Sequence, residues 1–273
     1  MGGGARLGGR ACLGAALVRR SLPGLGTLHL REVVRNPWVW PAGAALVLLG
    51  LAFRGQEGAV GLVSLVAALQ LYVPPLVLVL AAPLLTRRDT WAFWAALERS
   101  PGAAYLRAGV GVAVGAFLPL AVGAALAALP LALPALEVAL LLASLALLVA
   151  LWTAMTALLS ALTLDASRAL ALGLAVWAVG TLAYGPAIVG LAGVLADRPL
   201  FGLLSTALLL HPAEAVRVGL LELLDVPVLV GPIAVLLADL LPGPTLVWGA
   251  FSSLAWTGLA SLAARVAFAQ RNR

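Results

Sequence analysis

The sequence predicts an all-α integral membrane protein with six transmembrane helices, and three observations lead there. Hydrophobic residues make up 63% of the 273 residues and the mean hydropathy is +1.09, whereas soluble domains are only about half apolar. Several apolar stretches reach the roughly 20 residues that carry a helix across about 30 Å of hydrocarbon. The alternating apolar and polar pattern of a transmembrane β-strand is absent from the sequence. Since lipid tolerates only helices or closed barrels as spanning structures, helices remain.

Residues 1–26 read as a basic extension rich in Gly and Ala, with Arg6, Arg10, Arg19 and Arg20. They lack the uninterrupted apolar core of about 7 to 15 residues that marks a signal peptide, and Cys12 reads as an unpaired passenger. Residues 27–273 form the transmembrane domain. Between Leu28 and Arg35 apolar and charged residues mix as they do in an amphipathic helix lying in the headgroup plane. Pro37 is expected to open the first span, because proline is accepted in a first helical turn.

Spans are expected at about 38–53, 59–85, 108–129, 138–164, 169–191 and 245–264. The first is short and borrows length from its flanks. The second exceeds what a bilayer needs, and Pro74 and Pro75 should kink it. Two charged interruptions stand out from this apolar background. A loop at 86–107 joins the second and third spans, and a segment at 197–241 precedes the last one, carrying His211, Glu214, Arg217, Glu222, Asp225 and Asp239 among prolines. The apolar pieces of the latter are too short to cross unaided, so they are expected to form interfacial or re-entrant helices on the outer side.

The arginines test this layout, since lysine is absent. With both termini in the cytoplasm, fourteen of the seventeen arginines fall inside, leaving Arg54, Arg198 and Arg217 outside. That bias is the positive-inside signature and supports this orientation of a multi-pass protein, which is expected in the cytoplasmic (inner) membrane. A seventh span over Gly219–Ala238 would move the C-terminal arginines outside and bury Glu222 and Asp225 at a cost of several kcal/mol, so six spans are preferred. The same grouping explains the high pI as contact with lipid headgroups, with no nucleic acid implied.

Chemistry within the chain is hard to find. One cysteine and two histidines on opposite sides of the membrane assemble no nucleophile–base pair. No metal cluster is expected, because a single imidazole makes a poor copper site and neither methionine is expected near His211. There is no phosphate-cradling Gly-rich loop followed by Lys and Ser/Thr, so the chain is not expected to hydrolyse nucleotide itself or to bind a cofactor directly. The spans lack the ionisable residues that ion channels and proton-coupled transporters use. The loop at 86–107, in contrast, holds Trp91, Phe93 and Trp94 among its charges. Aromatics grouped in this way either belt a membrane interface or fill a partner's groove.

Several stretches together resemble the permease subunits of ABC type 2 exporters. An amphipathic elbow helix precedes the first span, and the following loop reads Arg87, Arg88, Asp89 and Thr90, then an apolar Trp91–Leu97, then Glu98, Arg99, Ser100 and Pro101. The resemblance implies that this loop carries a coupling helix, with Arg87, Arg88, Asp89, Trp91, Phe93, Trp94 and Glu98 docking on a cytoplasmic ABC ATPase. It implies a second contact at Asp165 and Arg168, and a homodimer of permeases on an ATPase dimer. A narrower resemblance lies in Leu208–Arg217, similar to the permease of the ABC complex that matures the copper site of nitrous oxide reductase, with His211 where that subfamily carries Asn. It implies that His211, Pro212, Glu214 and Arg217 meet an extracytoplasmic, β-helical accessory protein. For His211 alone, the residues favour a helix cap before Pro212, and Glu214 and Arg217 are placed to pair on one helix face. Exporters of a lipid, drug or polysaccharide remain the rival within the class, and a membrane anchor without an ATPase the rival outside it.

Overall fold

The computed structural model describes residues 24–56, 58–87, 100–184, 186–187, 190, 194, 206–207, 210–224 and 244–271. These include α1 (Leu25–Val34), α2 (Val39–Ala52), α3 (Gly58–Leu85), α4 (Pro101–Ala128), α5 (Ala135–Thr163), α6 (Ala166–Ala178, prolonged by a π-helical turn Val179–Ala183), α7 (Pro212–Leu223) and α8 (Thr245–Arg271). Five of them, α3, α4, α5, α6 with its π turn, and α8, are long and apolar enough to cross a membrane. Their outward faces stay apolar, as Phe251 at 64% and Leu259 at 62% exposure on α8 illustrate. Water would make such faces a liability, and lipid makes them ordinary. The chain is a multi-pass, all-helical membrane protein.

The expected boundaries hold to within a few residues for α3 and α5 and shift elsewhere for local reasons. α4 begins at Pro101, well before 108, because Ser100 accepts a hydrogen bond from the Ala103 N–H at 3.4 Å and Pro101 occupies the first helical position. The loop therefore ends at Ser100, and Arg107 lies two turns into the helix. The expectation that Pro37 opens the first span is corrected: Asn36 Oδ1 accepts the Trp38 N–H at 3.0 Å in a turn, and α2 starts at Val39 with Pro41 in its first turn. At fourteen residues α2 is shorter than the other candidate spans.

The amphipathic stretch before it is helical, as expected, but its apolar stripe is spent on protein. Leu25, His29 and Val33, spaced four apart, are buried where α1 packs along α4. α1 and α2 follow α4 in the same chain direction, Gly26 lying against Gly111, Val33 against Gly115, Gly43 against Gly123 and Gly50 against Ala127. At Gly43 and Gly123 the approach is backbone on backbone, since a Cβ on Gly123 would overlap the Gly43 carbonyl. Close helix contact through small residues is what lipid-embedded helices use in place of a hydrophobic driving force.

The rest of the core lies among α3, α4, α5 and α8. Tyr105 stands near the start of α4, fully buried, stacked on Phe268 of α8 with ring centroids 4.3 Å apart, and donates its hydroxyl to the Ala157 carbonyl of α5 at 2.8 Å. One aromatic thus ties three helices together at the loop end of the bundle. At the other end, Gly219 of α7 meets Leu246 and Gly249 of α8 meets Ala215 and Val216, so α7 lies antiparallel on α8.

Candidate functional site

Two regions hold the residues singled out from sequence. The first surrounds the loop between α3 and α4. Arg88, Asp89, Trp91, Phe93, Trp94 and Glu98 lie outside the described residues, and so does most of the N-terminal extension. Arg87 is described, and its guanidinium is paired with Glu32 of α1. Both side chains are about half exposed, at 53% and 41%, so water screens the pair and its worth is at most about 1 kcal/mol. Its geometric effect is larger: it fastens the mouth of the loop to α1. The loop is therefore bounded by the Arg87–Glu32 pair at one end and by the Ser100 cap, with Tyr105 beneath it, at the other.

Asp165 lies in the turn between α5 and α6, and Arg168 in the first turn of α6. Leu164 closes α5 in the left-handed region, with φ 53°, and Asp165 accepts the Arg168 N–H at 2.8 Å, capping α6. Both residues are exposed. Asp165 has a local structural task whether or not anything docks there.

The second region is the start of α7. His211 Nδ1 accepts the Glu214 N–H at 3.1 Å and Pro212 takes the first helical position, so His211 is an N-cap. Its ring lies on Tyr184 with centroids 4.4 Å apart and is hydrogen-bonded to the Gly180 backbone, on the π turn where helical carbonyls fall out of register. Burial pushes the imidazole below its ordinary value, with Glu214 opposing that shift. Glu214 in turn accepts from Arg217 Nε at 2.9 Å and from its terminal nitrogen at 2.7 Å, the one-face pairing expected for that spacing. His211, Pro212, Glu214 and Arg217 are thus brought together, half-buried and largely engaged with one another.

Gln70 holds this cluster to the bundle. It is the thirteenth residue of the 28-residue α3, about 18 Å along it at about 1.5 Å per residue. Its Nε2 donates to the Ala213 carbonyl at 2.7 Å. Pro74, four residues on, has no N–H to offer the Gln70 backbone carbonyl, and Trp177 Nε1 of α6 donates to that carbonyl at 3.3 Å in its place. Pro74 thereby leaves a docking point on α3, and α7 starts beside it, about halfway along α3. At its far end α7 is fastened again, where Glu222 Oε2 accepts the Thr245 N–H that opens α8, at 3.1 Å. A carboxylate at a helix N-terminus also opposes the positive end of the helix dipole.

Beside Gln70 lies a chamber of about 170 Å³ whose wall includes Trp152 and Met155 of α5, Gly180 of the π turn, His211 and Trp256 of α8. The expectation that neither methionine approaches His211 is therefore corrected, since packing of α5 against α6 and α7 brings Met155 to the same wall. Among the described residues no group of three His, Cys, Asp or Glu could hold a metal, and the hydrogen bonds on the His211 ring keep it a cap.

Sequence reasoning missed Gln70, Trp177, Gly180 and Tyr184. Of these only Gln70 left a signal, as a lone amide inside an apolar span with proline four residues later. The sequence matches no protein-family model and no curated protein.

Proposed function

We propose that this chain is the transmembrane permease subunit of an ABC-type complex. In this reading α2 joins the five long helices as a sixth span, α1 is the elbow, and both termini face the cytoplasm of the cytoplasmic membrane. Two copies of the chain pair with two copies of a separate ATPase, which alone binds ATP. Trp91, Phe93 and Trp94 fill a groove on that ATPase, with Asp165 and Arg168 as a second contact.

The observation that carries this reading is that α3 ends at the loop through Arg87 and holds α7 at mid-length through Gln70. Closure of the ATPase dimer pushes on 88–99. Its base is stiff, because the Ser100 cap and the Tyr105–Phe268 stack fasten the start of α4. α3 then carries the movement as a rigid body and yields at Pro74 and Pro75, beside Gln70, so the displacement reaches α7. The narrower resemblance at Leu208–Arg217 assigns the output to mechanical action on an extracytoplasmic β-helical partner during copper-site maturation of nitrous oxide reductase, with the movement of Pro212, Glu214 and Arg217, which lie beside Gln70 at mid-length of α3, carried along α7 to that contact.

The test is co-purification from cells that encode the natural neighbours, followed by ATPase assay. An ATPase is expected to accompany the wild-type chain, and W91A/W94A is expected to release it while leaving the permease folded. A chain that brings down no ATPase, or a double variant that retains it undiminished, sinks the reading. Recovery of a β-helical periplasmic protein in a Glu214- and Arg217-dependent manner tests the narrower assignment, and its failure alone leaves the exporter reading standing.

A further inference from the structure

The hairpin of α2 and α3 has one short arm, and the difference in length leaves a groove on its outer face. We propose that this groove binds an anionic phospholipid, with the phosphate on Arg31 and Arg35 at the end of α1 and an acyl chain laid between Trp38 and Val79. The site is formed within one chain and needs no ATPase. It takes from the proposed function only that α2 lies in the membrane beside α4.

Helix lengths make the groove. α2 has 14 residues and α3 has 28, about 21 Å and about 42 Å at about 1.5 Å per residue. The short connection between them ties the end of α2 to the start of α3, so the start of α2 lies level with Tyr72. Trp38 and Pro41 accordingly form one wall, with Tyr72 and Pro75 opposite. Beyond that level α3 runs on for about 20 Å without α2 beside it, while α1 packs along α4. What remains is an open groove of about 430 Å³ reaching from Leu71 to Val79. Its lining is apolar apart from the Tyr72 hydroxyl, and Trp38 at 74% and Val79 at 52% are exposed, so a lipid chain can enter from the side.

Charge decides which lipid. Arg31 and Arg35 are exposed and four positions apart, a spacing that puts them on one helix face, where like charges repel. Glu32, the carboxylate of α1, is taken by Arg87, and neither Arg31 nor Arg35 has an ion pair among the described residues. The turn at Asn36 sets Arg35 three residues before Trp38, next to the wall that Trp38 makes. Depth points the same way. α2 covers about 21 Å of a hydrocarbon layer about 30 Å thick, so the arginines flanking its start reach toward the headgroups or draw phosphates to themselves. A phosphate held there offsets the repulsion between Arg31 and Arg35 and brings its own acyl chains to the groove. A soluble anion would leave the apolar walls unused, and a zwitterionic lipid would bring a cation to two arginines that already repel.

The full chain is reconstituted in phosphatidylcholine nanodiscs carrying a small, varied fraction of either phosphatidylglycerol or phosphatidylcholine with dibrominated acyl chains, which quench tryptophan on contact. Trp38, one of eight tryptophans, is read as the difference between wild type and Trp38→Phe. Brominated phosphatidylglycerol is expected to quench it saturably, bound more tightly than brominated phosphatidylcholine by about 5-fold per arginine, with the preference shrinking in high salt. Arg31→Gln/Arg35→Gln should bring the two lipids to parity, and Val79→Phe, which narrows the groove, should reduce quenching by both. Arg271→Gln, at an exposed arginine of α8, should keep the preference. Circular dichroism and thermal unfolding check that each variant folds; if the double variant does not, Arg35→Gln alone, expected to lose about 5-fold of the preference, decides. Equal quenching by the two lipids in wild type, a preference that survives loss of both arginines, or quenching unchanged in Val79→Phe overturns the site and leaves the proposed function standing. No quenching by either lipid in discs holding one chain puts α2 outside the lipid and overturns this inference and the sixth span together. Quenching that is lost only in discs holding two chains gives the groove to a second copy and overturns the lipid site alone.

Discussion

Substituting alanine at two glycines of one helix, Gly123 and Gly109, should have opposite effects. In α4 a Cβ at Gly123 would overlap the carbonyl oxygen of Gly43 in α2, whereas at Gly109 it meets nothing within 4 Å. Exchange of Gly for Ala inside a helix contributes about 0.8 to 1.0 kcal/mol of propensity. Gly109→Ala should gain close to that amount. At Gly123 the same gain is opposed by overpacking, which typically costs about 1 to 3 kcal/mol, and here the obstructing atom is backbone, with no rotamer change to relieve it. The net loss expected is about 1 kcal/mol or somewhat more. Thermal unfolding of the detergent-solubilised protein should rank Gly109→Ala at or above wild type and Gly123→Ala below it. Since Gly43 and Gly123 share one contact, Gly43→Ala/Gly123→Ala should cost less than the two single changes added, once one Cβ has parted the helices. A Gly123→Ala variant as stable as Gly109→Ala would refute the crossing.

Further outcomes follow from three capping residues. His211→Ala should weaken α7 by about 1 kcal/mol, and His211→Asn should restore most of it, because Asn also accepts from the backbone N–H; protease resistance of the 210–224 stretch reports both. Burial holds the His211 imidazole below its unfolded value, so the folded state binds fewer protons and its stability is present above about pH 6.5 and lost as pH falls from there through the folded value. Protonation also removes the acceptor for the Glu214 N–H, so the loss should vanish in His211→Asn. Glu222→Ala should loosen the start of α8 by about 1 kcal/mol, read by amide exchange near Thr245. Leu164→Gly, which relieves a left-handed residue at φ 53°, should stabilise the α5–α6 turn by about 1 kcal/mol in thermal unfolding.

The helices were legible because their cause is local. An unbroken apolar run of about 20 residues has one solution in lipid whatever surrounds it, and α3, α5 and α8 begin within three residues of where the sequence places them. Caps were half legible. Ser100–Pro101 and His211–Pro212 show in the sequence, but that Ser100 starts α4 earlier than hydropathy suggests follows from its hydrogen bond. Helix α1 was legible as amphipathic, while its use was not: a stripe of Leu25, His29 and Val33 suits a headgroup layer as well as a neighbouring helix, and only the glycines of α4 decide between them.

His211, Glu214 and Arg217 could be foreseen as a cluster because they lie within seven positions of one another. The site around them could not. Gln70, Met155, Trp177 and Gly180 come from three helices far apart in sequence, and no period along the chain encodes their meeting. By itself the sequence determined that this is a helical, membrane-embedded chain with two charged interruptions, since burying apolar surface in lipid is a property of each segment alone. The tertiary structure decided which carbonyl Pro74 leaves for Trp177, where α7 enters the bundle, and that a chamber remains beside Gln70, because those depend on which helix faces lie together.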